Sequence, residues 1–294
     1  MSFVFLLNPA SGAQRRAPLD LRALAKRVLP IGTEVHIRQT QYAGHATELA
    51  REAAAQGAAV VVAVGGDGTV NEVAAGLLGA TTALGIVPRG SGNGLARHLR
   101  IPLDPVAALA HLSKAPRSSI DAGRINGRPF FCTAGIGFDG HISREFAKSE
   151  ERGLLTYAKL LFSEFGKYRP TSGTLFYDEA TGQPPHELRE LFVLAFANAA
   201  QYGNNAYIAP MADIRDGILD ACVLRHPTWW GAVGIAAGMM TRSLPRFGAT
   251  YFRTAAARVA LHSPLPFHAD GEYIGTASDF TIEVDPGALR VVAG

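Results

Sequence analysis

The chain has 294 residues, of which 48% are hydrophobic and 18% charged, with a formal net charge of +3. That apolar content supports one large core or two modest ones and excludes a disordered chain; the charge is too small to argue for nucleic acid, yet suits anionic substrates or an anionic membrane surface. The two cysteines, Cys132 and Cys222, lack metal-ligand spacing, so the reading is a reduced, cytoplasmic protein without a zinc site.

In chain order, the apolar run over 3–7 has no basic leader and reads as a strand rather than a signal peptide. Asn8-Pro9-Ala10-Ser11-Gly12 is turn chemistry at its carboxyl end. Helix is predicted over 19–28, strand over 34–39 and helix over 43–56, with Thr40 just beyond the second strand. Residues 60–64, VVVAV, are apolar on both faces and β-branched, the pattern of a strand buried in a parallel sheet. Gly65-Gly66-Asp67-Gly68 then offers three positions able to take φ > 0 and a backbone that no side chain shields. Thr69, with Glu72 three residues on, reads as a capping box opening a helix to about residue 78. Strand, glycine turn and helix N-terminus together make an anion site, and Asp67 beside phosphates is repulsive unless a divalent cation lies between them or its charge is needed elsewhere, which points to a magnesium nucleotide. A strand over 83–87 leads into Pro88-Arg89-Gly90-Ser91-Gly92-Asn93-Gly94 and a short helix over 95–99. This alternation predicts a doubly wound, mainly parallel α/β domain with glycine turns at strand carboxyl ends.

After Asp121 strand-like runs dominate, over 128–133, 173–177, 190–198, 218–224, 257–263 and 280–284, and predict an antiparallel, β-rich second domain. Helical insertions interrupt it near 150–168 and 228–242. The apolar stretch 229–240, WWGAVGIAAGMM, falls short of the ~20 residues that span a bilayer. Its alanines and glycines suit a buried helix, and its two tryptophans suit a membrane surface. Asp216-Gly217 reads as the tip of a β-turn, and Asp270-Gly271-Glu272 as a hairpin turn carrying two acids.

GGDGTVNEV at 65–73 resembles the nucleotide-binding motif of the diacylglycerol kinase catalytic domain family, which includes bacterial lipid kinases and the sphingosine and ceramide kinases. NPASG at 8–12 is similar to the family's NPxSG, and residues 88–97 to its PxGTxNDxAR, with Ser91 for threonine and Gly94 for aspartate, a departure shared with sphingoid-base kinases. DGIL at 216–219 and DGE at 270–272 resemble the remaining two motifs. The resemblance implies ATP and Mg²⁺ as cofactors. It assigns nucleotide contacts to Asn8, Pro9, Ser11, Gly12, Thr40, Gly65, Gly66, Asp67, Gly68, Thr69, Asn71, Glu72, Ser91, Gly92 and Asn93, and a structural magnesium to Asp216 with Asp213 and Ile218. It makes Glu272 the general base and Asp270 the second choice, since a lipid hydroxyl must lose its proton as the phosphoryl group arrives. The expected organisation is an ATP-binding domain over 1–122, a lipid-substrate domain over 123–282, and a return of 283–294 to the first domain, with ATP and lipid in the cleft between. The expected activity is transfer of the γ-phosphoryl of ATP to a lipid such as diacylglycerol, with a sphingoid-base kinase, an NAD kinase and a catalytically silent binding module as alternatives. The implied partner is a lipid at the inner membrane surface, with peripheral attachment and a homodimer as further options.

Overall fold

The computed structural model describes residues 1–11, 20–149, 154–177 and 184–293. The chain divides into two compact units, Met1–Ile120 with Gly287–Gly294, and Asp121–Pro286.

The first unit contains β1 (Ser2–Leu7), α1 (Leu21–Val28), β2 (Glu34–Gln39), α2 (His45–Ala55), β3 (Val60–Gly65), α3 (Asp67–Leu77), β4 (Ala83–Pro88), α4 (Gly94–His98) and α5 (Pro105–Leu112). Its strands are parallel in the order β2-β1-β3-β4. Every residue of β3 and β4 is buried, which is why these runs show no alternation of polar and apolar positions. Near the end of the chain Val291 pairs in parallel with Leu84, adding a strand beside β4. The direction of winding reverses between β1 and β3, and in such sheets the crevice at those strands' carboxyl ends is where ligands bind. The predicted helix over 19–28 is seen as α1 from Leu21, capped by Asp20, whose carboxylate accepts the Ala23 N–H at 2.9 Å; residue 19 lies outside the described residues. The expected α/β class and parallel winding hold.

The second unit is built from β5 (Arg117–Ile125), which begins in the first unit, β6 (Arg128–Phe130), β7 (Thr133–Gly137), α6 (Phe138–Lys148), α7 (Leu154–Phe165), β8 (Thr171–Tyr177), β9 (His186–Ala197), β10 (Leu219–Arg225), α8 (Trp229–Thr241), β11 (Thr250–Thr254), β12 (Ala256–Ala269) and β13 (Glu272–Val292), whose last residues belong to the first unit. An antiparallel order β11-β10-β9-β7-β12-β13 runs through it, with β8 paired to both β9 and β12. Its core gathers Phe130, Phe196, Phe280, Leu175 and Leu194. Three expectations need correction. The strand foreseen over 128–133 breaks at Phe131-Cys132, where the backbone amides turn to a carboxylate described below. The strands foreseen over 257–263 and 280–284 run much longer, because register shifts after Ala260 and Phe267 absorb the irregular residues and let the ladder continue. The stretch 229–241 is helical but not a buried helix, since only Ile235 and Gly238 of α8 are buried. Among the described residues no helix is long and apolar enough to cross a membrane.

Candidate functional site

In the first unit, side chains join the turns that follow β1, β3 and β4. Asn8 at the end of β1 donates from Nδ2 to Thr69 Oγ1 at 3.0 Å and accepts the Ala10 N–H at its Oδ1. Ser11 Oγ accepts the Gly66 N–H at 3.4 Å. Pro9 lies exposed between them, Gly12 lies outside the described residues, and Thr40 donates its N–H to Leu7 O at the end of β1. Helix α3 starts at Asp67 with Gly66 as an extended N-cap, and its first intrahelical bond is Val70 N–H to Gly66 O. Thr69 is therefore an inside residue of the first turn and not the cap foreseen from the capping-box pattern. Glu72, the other half of that pattern, reaches away to accept the Ala46 N–H at the start of α2. Asn71 is half-buried on the same helix.

None of Gly65, Gly66 or Gly68 takes a positive φ, contrary to the sequence expectation. Close approach constrains two of them instead: a Cβ on Gly65 would come within 2.5 Å of Thr69, and one on Gly66 would press on Gly90 Cα at 3.2 Å. Gly68 is different, because its Cβ direction is open. The N–H groups of the first turn of α3 lack i−4 carbonyl partners, as at any helix start, and here no side chain caps them.

Asp67 does not present a free carboxylate for a cation. Its Oδ2 accepts the Asn93 N–H at 2.8 Å and its Oδ1 the Gly94 N–H at 2.6 Å, so it caps α4 and ties the β4 turn to the β3 turn. Asn93 is itself committed to its loop: it sits in the left-handed region at φ 52, accepts the Gly90 N–H and donates to Gly90 O. A Cβ on Gly92 would lie 2.8 Å from Asp67 Oδ2, so any larger residue there would push against that carboxylate. Ser91 remains exposed at the tip.

In the second unit Asp270-Gly271 forms a two-residue turn between Ala269 and Glu272, which pair directly. With φ of 49 and 82 it has both central residues in the left-handed region, the geometry that favours Asp-Gly in a tight hairpin. The Asp270 side chain folds back: Oδ2 accepts the Phe131 N–H at 2.7 Å, and Oδ1 accepts those of Cys132 at 2.7 Å and Thr133 at 2.9 Å. Desolvation pushes the Asp270 carboxyl up to about 6, opposed by these three N–H donors. Glu272 follows on the exposed side of the hairpin.

A buried cluster behind the turn had no signal in the sequence. His268 Nδ1 accepts the Gly271 N–H at 3.1 Å, so Nε2 carries the proton of the neutral ring and faces Asp139 Oδ2 at 3.3 Å. Tyr202 donates to that same oxygen at 3.1 Å, and Gly140 N–H to the other at 2.8 Å. Gly135 leaves the room this carboxylate occupies. The three side chains come from β12, α6 and the segment after β9, so no local pattern could have joined them.

Asp213, Asp216 and Ile218 share one turn, but the arrangement does not fit a resident cation. Asp216 Oδ1 accepts the Ile218 N–H at 3.0 Å, its Oδ2 is paired with Arg253, and Asp213 Oδ1 accepts the Arg215 N–H at 3.1 Å. A metal on Asp216 would have to displace a guanidinium. Asp121 holds the same turn by accepting the Gly217 N–H at 2.7 Å. Among the described residues no group of three or more His, Cys, Asp or Glu is arranged to hold a metal.

A parallel α/β unit with glycine turns at its switch point and an antiparallel unit with an acid hairpin match a known pair of domains. Residues 2–125 match the diacylglycerol kinase catalytic domain, and residues 132–293 the YegS C-terminal NAD kinase beta sandwich-like domain. A protein of Chromohalobacter salexigens named probable lipid kinase YegS-like is 31% identical over 282 residues, covering 93% of this chain and 88% of that protein. The chain belongs to this family of YegS-like lipid kinases with a diacylglycerol kinase catalytic domain. The fold recurs in a diacylglycerol kinase from Bacillus anthracis, with a TM-score of 0.71 at 19% identity over 100% of this chain and 96% of that one. It recurs more distantly in an NAD kinase from Archaeoglobus fulgidus in complex with ATP, with a TM-score of 0.54 at 13% identity over 99% and 93% of the two chains.

Proposed function

We propose that this lipid kinase transfers the γ-phosphoryl group of magnesium ATP to the primary hydroxyl of diacylglycerol, and that Glu272 takes the hydroxyl proton. The observation that carries the assignment of the base is the contrast within one turn. Asp270 is occupied by three backbone N–H donors, whereas Glu272, two residues on, is exposed. The acceptor oxygen attacks the γ-phosphorus, the bond from that phosphorus to the β–γ bridging oxygen breaks, ADP leaves, and the proton passes to a Glu272 carboxylate oxygen. The magnesium arrives with the nucleotide and offsets phosphate charge. The open face of Gly68 and the uncapped first turn of α3 support nucleotide binding there, because amide dipoles converge where phosphate oxygens would lie.

Diacylglycerol as the acceptor is supported by the activity named for the Bacillus anthracis protein of the same fold. One residue favours a sphingoid base instead: Gly94 stands where the resembling motif more often has aspartate. Measuring ATP turnover with diacylglycerol, sphingosine and NAD in parallel tests the proposal. Turnover with diacylglycerol that is lost in Glu272→Gln is the expected result; turnover with sphingosine or NAD alone would overturn the acceptor, and a fully active Glu272→Gln enzyme would overturn the base.

A further inference from the structure

The helix α8 inverts the usual arrangement of a surface helix. It has 13 residues and none is charged. Two of its glycines face inward: a Cβ on Gly234 would come within 2.6 Å of the Phe247 ring, and one on Gly238 within 2.7 Å of that ring and 3.2 Å of Leu244 Cα. Close packing on the glycine side turns the larger apolar side chains outward. Trp230 is 85% exposed and Trp229 52%, and Val233, Ala236, Ala237 and Met240 continue the same face along the helix. At about 1.5 Å per residue that face is roughly 20 Å long. An amphipathic helix ordinarily buries such a stripe.

The helix is also firmly seated, so its apolar face is not the result of fraying. Thr228 caps it by accepting the Gly231 N–H at 3.2 Å, and Arg242 closes it in the left-handed region, with its N–H bonded to Gly238 O. The Arg242 guanidinium lies 4.1 Å from the centre of the Tyr207 ring. Trp229 packs against Phe165 of α7 with ring centroids 4.4 Å apart, and one helical turn earlier Phe162 is also exposed, which widens the patch.

Charge selects the occupant. Between Asp220 and Asp270 the chain has five arginines and no Asp or Glu, although Arg253 pairs with Asp216 and Arg258 with Asp279, both outside that stretch. Two of the arginines, Arg242 and Arg246, follow α8 directly, Arg246 in the short 3₁₀ turn Leu244–Phe247 that packs beneath it. An exposed apolar face led by two tryptophans and ended by arginines suits a surface that is hydrocarbon just beneath an anionic layer. The helix is too short to span a bilayer, so it would lie in the plane of the interface.

We propose that the outward face of α8, with Arg242 and Arg246 at its end, is the surface by which this protein docks on an anionic lipid bilayer. The proposal rests on membership of the lipid kinases for its motive, and its test requires no turnover. The full chain is mixed with phosphatidylcholine vesicles with and without phosphatidylglycerol, free of diacylglycerol, and floated on a density gradient. The wild type is expected to float with the phosphatidylglycerol vesicles, to shift its tryptophan emission to the blue and to detach as salt is raised. Trp230→Glu combined with Val233→Glu is expected to lower partitioning at least ~10-fold with an unchanged circular dichroism spectrum, and Arg246→Glu to reduce the salt-sensitive part. Wild-type protein that stays soluble, or a double variant that floats equally well, would overturn the proposal. So would a wild-type dimer that the double variant dissolves, because the face would then belong to a second copy of the chain. Failure to phosphorylate a short-chain diacylglycerol in detergent would overturn the proposed reaction and leave this surface standing.

Discussion

Asp67 and Asp270 sit in turns that look alike in sequence, each an aspartate followed by glycine at the end of a strand, and in both the carboxylate is taken up by backbone amides. The two differ in what they hold. Asp67 takes two N–H groups at the start of a neighbouring helix and joins the turns that follow β3 and β4. Asp270 takes three N–H groups from the junction of β6 and β7 and folds its own hairpin back on that junction. An acid in a family motif can thus hold backbone in place, and hydrogen-bond saturation reveals that role where residue type does not.

Loss of the Asp270 carboxylate should disturb the protein most. Asp270→Ala leaves three amides without their acceptor and is expected to lower unfolding stability by about 3 kcal/mol or more in urea titration. A variant of wild-type stability would show that the amides find other partners and would reopen Asp270 as the base. Glu272→Gln keeps the side chain's shape and removes only its capacity to take a proton; turnover should fall roughly 10²-fold or more while melting temperature and ATP affinity stay close to wild type. Asp67→Asn should weaken ATP binding about 10-fold, because an amide can no longer accept both N–H groups and the two loops separate, with a smaller loss of about 1–2 kcal/mol in stability. Calorimetric titration of the nucleotide checks it, and unchanged affinity would make the link between the loops irrelevant to binding. The smallest effect is on pH. A folded-state pKa raised to about 6 from the ordinary aspartate value means that the folded protein holds this proton more tightly than the unfolded chain, so Asp270's contribution to stability is largest below pH ~4 and is lost as pH rises toward about 6. Carbon-13 NMR of labelled aspartate carboxyls should find one titrating near 6; its titration below 4 would show that the three amides outweigh desolvation.

Much of the fold was legible because it rests on local pattern. The apolar runs of β1, β3 and β4 and the exact bounds of β2 follow from period and turn chemistry, and so does the parallel winding. Helix α6 was not foreseen, because its start at Phe138 follows Gly137 at φ 109 with no capping side chain to announce it. The helix after GGDG was legible as a helix but not in its first residue, since Thr69 and Glu72 satisfy a capping-box pattern while bonding to Asn8 and to α2 instead. The site was legible as motifs and illegible as roles. The amides that hold Asp270 lie more than a hundred residues earlier, and His268, Asp139 and Tyr202 meet only in the folded sheet.

Strand β13 starts at the Glu272 end of the acid hairpin and finishes with Val291 beside Leu84, so the chain enters the second unit once and returns by a strand of the first. The return is anchored by Gly79 N–H on Ala288 O and Ser118 Oγ on Ala293 O. The two units are therefore unequal as pieces of protein. A fragment of 121–286 is a continuous stretch of chain, whereas one ending at residue 120 would carry the turns that follow β1, β3 and β4 yet expose the raw edge of β4, a ready template for pairing with another chain. Truncating the last eight residues should accordingly damage the first unit, far along the sequence from the cut.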